Sequence, residues 1–176
     1  MTVEIAAPLY ALHARELFGG TLQALGVYLV ATGAGQLLAS PFWGRLADVS
    51  ARRALILAGL MAFGLGLFAL GAGGMSASAG SPWLFAFVFL GLGIAESGVR
   101  LGRKTYLVDA VPADERPLYV AFGNTAVGVA TLGWGVLGFV AQGAGVPAVI
   151  GLLCVLGLTG AALAARMPEA RDFDAA

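Results

Sequence analysis

The stretch Gly44-Arg45-Leu46-Ala47-Asp48-Val49-Ser50-Ala51-Arg52-Arg53 is a short charged segment between two long apolar runs. Residues 17–44 and 54–95 on either side contain no Lys, Arg, Asp or Glu. A helix that crosses the hydrocarbon core of a bilayer needs roughly 20 apolar residues, and Lys and Arg accumulate in cytoplasmic loops. The sequence therefore predicts two membrane spans joined by a cationic cytoplasmic turn.

The composition of the whole chain supports a membrane protein. Apolar residues make up 59% of the sequence and charged residues 11%, whereas a soluble domain carries about 25% charged residues. The formal net charge is zero, so the chain lacks the basic field that a nucleic-acid partner requires. A single Cys and a single His argue against a disulfide framework and a zinc site. The bilayer is the expected environment.

Further apolar runs predict that these two spans belong to an all-α, polytopic bundle of five transmembrane helices. We place the spans at about 17–43, 54–72, 83–101, 118–141 and 147–165, within a transmembrane domain that covers residues 17–167. Residues 1–16 are expected to form an outer loop or surface segment. Residues 168–176 are expected to form a cytoplasmic tail.

The positions of the cations predict the orientation of the bundle. Nine of the ten Lys and Arg residues lie in residues 45–53, residues 100–116 and residues 166–176. Five spans place these three regions on one side of the membrane, which is then the cytoplasmic side. The N-terminus is expected outside and the C-terminus inside, in a protein of the bacterial inner membrane.

The charged stretch resembles the loop signature of the major facilitator superfamily, Gly-x-Leu-Ala-Asp-Arg-x-Gly-Arg-Lys/Arg-x-x-Leu. The matching residues are Gly44, Leu46, Ala47, Asp48, Arg52 and Arg53, with a Leu nearby. Val49 and Ala51 stand where the family usually has Arg and Gly, a departure that suits the second copy of the motif. Residues 100–104 and 112–124 are similar to the family's connection between its tenth and eleventh spans.

The resemblance covers residues 9–167 and implies a partial fold of that family. Its transporters have twelve helices in two six-helix halves, and this sequence is similar to spans eight to twelve. It would then be part of a secondary transporter that moves a small solute by alternating access, inactive alone. The N-terminal helix bundle would be its partner, in the same or another chain. The alternative is a small non-transporting membrane protein that assembles with itself or a partner bundle.

Three polar residues within the spans are candidates for a substrate or proton pathway: Glu96, Gln36 and Asn124. An ionisable group at membrane depth indicates function, although Glu96 could also form a structural ion pair with Arg100, one helical turn later. Helix rise places all three roughly 10 Å inside the cytoplasmic boundary. Ordinary hydrogen bonding between helices is the simpler interpretation for Gln36 and Asn124.

The resemblance also implies a role for the charged loops. In the family, the signature loop latches the cytoplasmic ends of neighbouring helices and stabilises one access state. The residues expected to act in this motif or gate are Gly44, Asp48, Arg52, Arg53, Arg100, Arg103 and Lys104. The arginines are equally consistent with a topological signal, while Asp48, which topology does not require, favours a latch.

The sequence offers no arrangement of residues for an enzyme. It has no Gly-rich phosphate loop with a Lys, no paired carboxylates at a pocket, and no nucleophile beside a basic partner. His13 is expected to be a solvated residue of the outer segment. We therefore expect no cofactor and no metal.

Overall fold

The computed structural model describes residues 2–18, 22–74, 82–134 and 136–170. Nearly all of these residues are helical. The helices in chain order are α1 (Thr2–Phe18), α2 (Leu22–Val49), α3 (Ala51–Gly74), α4 (Pro82–Ala110), α5 (Arg116–Trp134), α6 (Val136–Ala144) and α7 (Val146–Arg166). The helical membrane bundle predicted from the sequence is confirmed.

Four segments among the described residues are long and apolar enough to cross a membrane. They are Ala24–Val49, Ala51–Ala72, Phe85–Ala110 and Val146–Arg166. The span predicted at residues 118–141 is instead divided between α5 and α6, and residue 135 between them lies outside the described residues. The predicted count of five spans is therefore approximate.

The helices of the bundle pack around α4. Helix α4 packs against both α2 and α3, and α3 also packs against α7. One core cluster of buried residues joins α1, α2, α3, α4, α6 and α7, with Phe85, Leu92 and Ile150 among its largest members. A second cluster surrounds Trp43 at the ends of α2 and α3 that meet near residue 50.

The close contact between α2 and α4 depends on glycine. A methyl group at Gly35 would overlap the Leu90 carbonyl oxygen, and one at Gly93 would overlap the Thr32 carbonyl oxygen. Small residues of this kind let helix backbones approach each other in a membrane, where packing drives association. These glycines therefore bring the two helices into register at the depth of Gln36 and Glu96.

The charged stretch is almost entirely helical, which differs from the predicted turn. Helix α2 continues through Gly44 and Asp48 to Val49, and α3 begins at Ala51, so the connection is Ser50 alone. The Ser50 Oγ accepts a hydrogen bond of 3.1 Å from the Arg53 backbone N–H. This is an N-cap, in which a side-chain oxygen satisfies a free N–H group of the first turn.

Much of the second charged region is also helical, although the span predicted there ended at about residue 101. Helix α4 continues to Ala110, and residues 111–115 form the connection. Residues 103–111 contain no Gly or Pro, so nothing in them stops the helix, whereas Pro112 does. The Pro112 carbonyl accepts hydrogen bonds from the backbone N–H groups of Glu115 and Arg116, which turns the chain into α5.

The N-terminal segment is a helix packed on the bundle, although we predicted an outer loop or surface segment. Ala6, Tyr10, His13 and Ala14 of α1 are buried, and the helix lies against α7 and α4. These residues recur at the spacing of one helical face. Arg15 and Glu16 are exposed beyond that face, so their charges did not exclude helix packing.

Candidate functional site

A hydrogen bond between Gln36 and Glu96 joins α2 and α4 in the interior of the bundle. The Gln36 Nε2 donates to the Glu96 Oε2 at 3.0 Å. Both residues are half-buried. Glu96 stands fourteen residues before the end of α4 and Gln36 thirteen before the end of α2, which corresponds to about 20 Å of helix in each case. The structure thus brings together two of the three candidate pathway residues, at matching depth.

Packed aromatic residues lie on both sides of this pair along the α2–α4 contact. Towards the start of α2, the rings of Tyr28 and Phe89 stack with centroids 4.6 Å apart. Towards its end, Trp43 is 1% exposed, and a methyl group at Gly98 would lie 2.7 Å from an indole carbon. The Gln36–Glu96 pair is therefore a polar site between two closely packed layers.

Two further buried polar groups lie on these same helices. The indole Nε1 of Trp43 and the Ser97 hydroxyl have no hydrogen-bond partner among the described residues. Buried donors are usually satisfied by protein or water. Since Ser97 follows Glu96 directly in the sequence, the polar character of α4 at this depth extends beyond the carboxylate.

A second polar arrangement joins the start of α3 to the residues after α7. The Arg52 Nε and the Glu169 Oε1 form an ion pair at 3.1 Å. The Ser50 Oγ donates towards the Glu169 carboxylate, with oxygen distances of 3.0 and 2.9 Å. Glu169 therefore holds both the residue that connects α2 to α3 and a residue in the first turn of α3.

Backbone carbonyls after α7 complete this arrangement. The Arg52 Nη1 donates to the Met167 carbonyl at 3.0 Å, and the Tyr106 hydroxyl of α4 donates to the Pro168 carbonyl at 3.3 Å. We call Ser50, Arg52 and Tyr106 together with residues 167–169 the C-terminal clamp. It ties three helices at the end of the bundle that carries most of the cations.

The comparison with protein families agrees with this architecture. The family model of the Major Facilitator Superfamily matches residues 1–173, which is nearly the whole chain. The chain belongs to the Major Facilitator Superfamily. Neither the curated proteins nor the solved structures contain a match to it.

Membership in the Major Facilitator Superfamily makes the chain a transporter protein of the facilitator type. Transporters of this class place their binding residues near the middle of the membrane, on helices that face a central path. In this member of the superfamily, the Gln36–Glu96 pair lies within two of the candidate membrane-spanning segments. Among the described residues, no group of three His, Cys, Asp or Glu is placed to hold a metal ion.

Asn124 does not join the pair. Its side chain is exposed on α5, and α5 contacts α4 by a small part of its surface. Thr125 and Thr131 of this helix donate hydrogen bonds locally, to the Ala121 and Val127 carbonyls. The equal depth predicted for Asn124 therefore did not translate into proximity.

The predicted residues of the signature motif take different positions. Arg52 lies in the C-terminal clamp, whereas the side chains of Arg53 and Asp48 are exposed. Gly44 lies within α2, and the remaining members of the set lie on the last three turns of α4. These are Arg100, Arg103 and Lys104. The acidic residue bound to Arg52 is Glu169, which the sequence analysis did not single out.

The sequence did carry a signal for Glu169. It follows Pro168 directly after the last apolar run, at the same end of the bundle as the cationic stretch. The segment after the last apolar run contains both cations and carboxylates, so it offers acidic partners for the arginines of the cationic stretch. The signature motif contains Asp48 and not Glu169, so the motif alone did not predict this residue.

The prediction for His13 was wrong. The residue is 3% exposed, and its ring lies 6.0 Å from that of Phe85 on α4. His13 occupies the packed face of α1, one helical turn after Tyr10, which is also buried. Its burial follows from helix periodicity, which the interrupted composition of residues 1–16 concealed.

Proposed function

We propose that this chain forms one helix bundle of a secondary transporter that moves a small solute by alternating access. The hydrogen bond between Gln36 and Glu96 carries the proposal. Holding a carboxylate inside an apolar bundle is costly, and such residues in membrane proteins mark ion and substrate paths. Here the carboxylate sits where two helices of a facilitator-type protein meet.

Glu96 would contact the solute or a coupled proton, and Gln36 would orient the carboxylate. Asn124 would join the path only if α5 moved towards α2 and α4, or if the path is wider than this pair. The α2–α4 contact offers a fixed support for such a site, because Gly35 and Gly93 leave little room for the helices to slide.

The C-terminal clamp would act as a latch on one access state. It joins α3, α4 and the segment after α7 through a partly exposed ion pair, the part-buried Ser50–Glu169 contact and an exposed hydrogen bond from Tyr106. Opening this end of the bundle would break the Arg52–Glu169 ion pair and the two carbonyl contacts. Asp48, Arg53, Arg103 and Lys104 would supply further charge at the same end.

The cation-rich end would face the cytoplasm of a bacterial cell, since cations accumulate there. The contacts of the C-terminal clamp support this, because they join the first cationic region to the tail. The apolar side chains exposed on α5 support a second proposal, that a partner bundle completes the solute path. That bundle would come from the same longer protein or from another chain.

A transport assay tests the proposal. The DNA upstream of the codon for Met1 is read first, and the longest in-frame product is purified, or a co-purifying bundle if the frame is closed. This assembly is placed in vesicles containing a pH-sensitive dye, and a panel of small solutes is added outside. We expect one solute class to give flux that Glu96→Gln removes and Glu115→Gln, a control in the exposed connection, retains.

Two results would contradict this proposal. Flux that is unchanged in Glu96→Gln would remove the residue from the path. Robust coupled transport by the verified monomeric 176-residue chain would remove the need for a second bundle. A membrane protein that never transports but binds itself or a partner would instead support the non-transporting alternative.

A further inference from the structure

The partner of Glu96 on α2 is the Gln36 amide, and an amide differs chemically from a cationic partner. An ionised carboxylate can only accept hydrogen bonds, whereas a protonated carboxyl group also donates one. A Lys or Arg partner offers donors alone. The Gln36 amide offers an N–H donor on one atom and a carbonyl acceptor on the other, so it can bond to Glu96 in either protonation state.

We propose that Gln36 is a positioning residue that lets Glu96 gain and lose a proton without losing its hydrogen bond. This deepens the proposed function and rests on Glu96 lying on the transport path. In the ionised state, the Gln36 Nε2 donates to the Glu96 Oε2, as observed at 3.0 Å. In the protonated state, the Glu96 O–H donates to the Gln36 Oε1.

The change between the two states is small and balanced. One proton passes from water to the carboxylate, and the Gln36 amide turns by about half a revolution around its last side-chain torsion, which is a soft, roughly two-fold rotation. The α2–α4 hydrogen bond is present before and after. The change of charge therefore does not leave Glu96 without its partner on α2, and losing a partner is a large part of the cost of a buried polar group.

The surrounding helix contact suits this exchange. Gly35, beside Gln36, packs against the Leu90 backbone, and Gly93, one turn before Glu96, packs against Thr32. Because the backbones are held at short range, the amide and the carboxyl group stay within reach while the amide turns. Both groups are half-buried, so neither is sealed within the bundle.

Charged groups near the pair lie on α4 itself and on the elements packed against it. On α4, Arg100 lies one turn after Glu96. Elements that pack against α4 carry further charged or titratable residues. They are Tyr28, Arg45 and Asp48 on α2, Arg52 and Arg53 on α3, Glu4, Tyr10, His13, Arg15 and Glu16 on α1, and Arg116 and Tyr119 on α5.

Infrared spectroscopy of the purified chain in lipid nanodiscs tests the proposal without a transport assay. The pH is changed, and the carbonyl stretch of protonated carboxyl groups is recorded as a difference spectrum. The signal that disappears in Glu96→Gln belongs to Glu96. We expect this signal to appear reversibly on acidification, at the frequency of a hydrogen-bonded carboxyl group.

Variants of Gln36 then separate a positioning role from a packing role. Gln36→Leu keeps the size but removes donor and acceptor, so the carbonyl stretch of protonated Glu96 should move to the frequency of a free carboxyl group. Gln36→Lys offers donors alone and should keep Glu96 ionised to lower pH. The exchanged pair, Gln36→Glu with Glu96→Gln, should restore a hydrogen-bonded, titrating carboxyl group on α2.

The outcomes are decisive in each direction. An unshifted Glu96 band in Gln36→Leu would overturn the proposal, as would a Glu96 that remains ionised throughout the accessible pH range. If Gln36→Leu fails to fold, the exchanged pair decides alone, because it retains the same groups. A transport failure with these bands as expected would contradict the proposed function and leave the proton exchange intact.

Discussion

The α2–α4 pair and α5 are both apolar helices, yet they meet their surroundings in opposite ways. Leu92 of α4 is 1% exposed, whereas Leu132 of α5 is 81% exposed. Glycines bring α2 and α4 into backbone contact. At Gly128 and Gly133 of α5, by contrast, an added methyl group would have no other atom within 4 Å. The two regions share a composition and differ in packing.

This difference shows what determines position inside a membrane bundle. Lipid tails are as apolar as Leu, so an apolar surface alone does not pull one helix against another. Complementary packing and polar contacts hold helices together instead. The α2–α4 pair has both, including the Gln36–Glu96 hydrogen bond. Helix α5 has neither over most of its length, and its position depends on what else lies against it.

The largest effect is expected from changing charge within the packed pair. In vesicles containing the complete transporter, Glu96→Gln should reduce flux to the level of empty vesicles, since the ionisable group is lost. Gln36→Ala should give a partial loss, and Asn124→Ala on exposed α5 the smallest. Equal, mild losses of flux in all three variants would show that these polar groups have only a structural role. The α2–α4 pair and α5 would then not differ in function.

Glycine substitutions test the backbone contact. Gly35→Ala forces a methyl group against the Leu90 carbonyl and should destabilise the bundle by about 2 kcal/mol, measured as unfolding in mixed micelles. Gly33→Ala is the matched control, because no atom lies within 4 Å of a methyl group there. Equal stability of the two variants would show that α2 and α4 are not locked at Gly35.

A pair of identical substitutions compares the two regions directly. Leu92→Ala leaves a cavity in the core and should cost about 2 kcal/mol, while Leu132→Ala should change the free energy of unfolding little in the chain alone. Repeating Leu132→Ala with a partner bundle present sharpens the test. A cost that appears only then would identify α5 as a contact surface.

The smallest effect is expected at the C-terminal clamp. The Arg52 and Glu169 side chains are 31% and 29% exposed, so water screens their attraction. A double-mutant cycle with Arg52→Gln and Glu169→Gln should give a coupling energy of about 0.5 kcal/mol. A coupling energy near zero would show that the clamp is only a surface contact. The expected coupling energy should be smaller in high salt.

The sequence predicted the fold class because composition and run length decide it. Apolar runs of more than about 20 residues have few alternatives to membrane helices. The ends of the helices were harder to predict. Charges at Arg103 and Lys104 suggested a loop, but charge alone does not stop a helix, and α4 continues until the chain approaches Pro112.

The candidate site was predictable only in part. Helix rise gives depth from the sequence, and Gln36 and Glu96 do lie at matching depth. Rotation about the helix axis depends on packing, which for α2 and α4 is set by Gly35 and Gly93 against the opposite backbone. Asn124 has a comparable predicted depth, but its side chain is exposed on α5 and does not join the pair. Glu169 was missed because its partner lies more than a hundred residues earlier in the chain.

That long separation bears on how the protein is made. The ribosome delivers Ser50 and Arg52 well before Met167 and Glu169, so the C-terminal clamp cannot form until α7 has been synthesised. Until then, the start of α3 lacks its carboxylate partner, and α3 lacks the face that α7 covers at Gly59 and Gly157. Closure of the clamp therefore follows the synthesis of α7, and in a nascent chain halted before residue 169 the Ser50 and Arg52 side chains would lack their carboxylate partner.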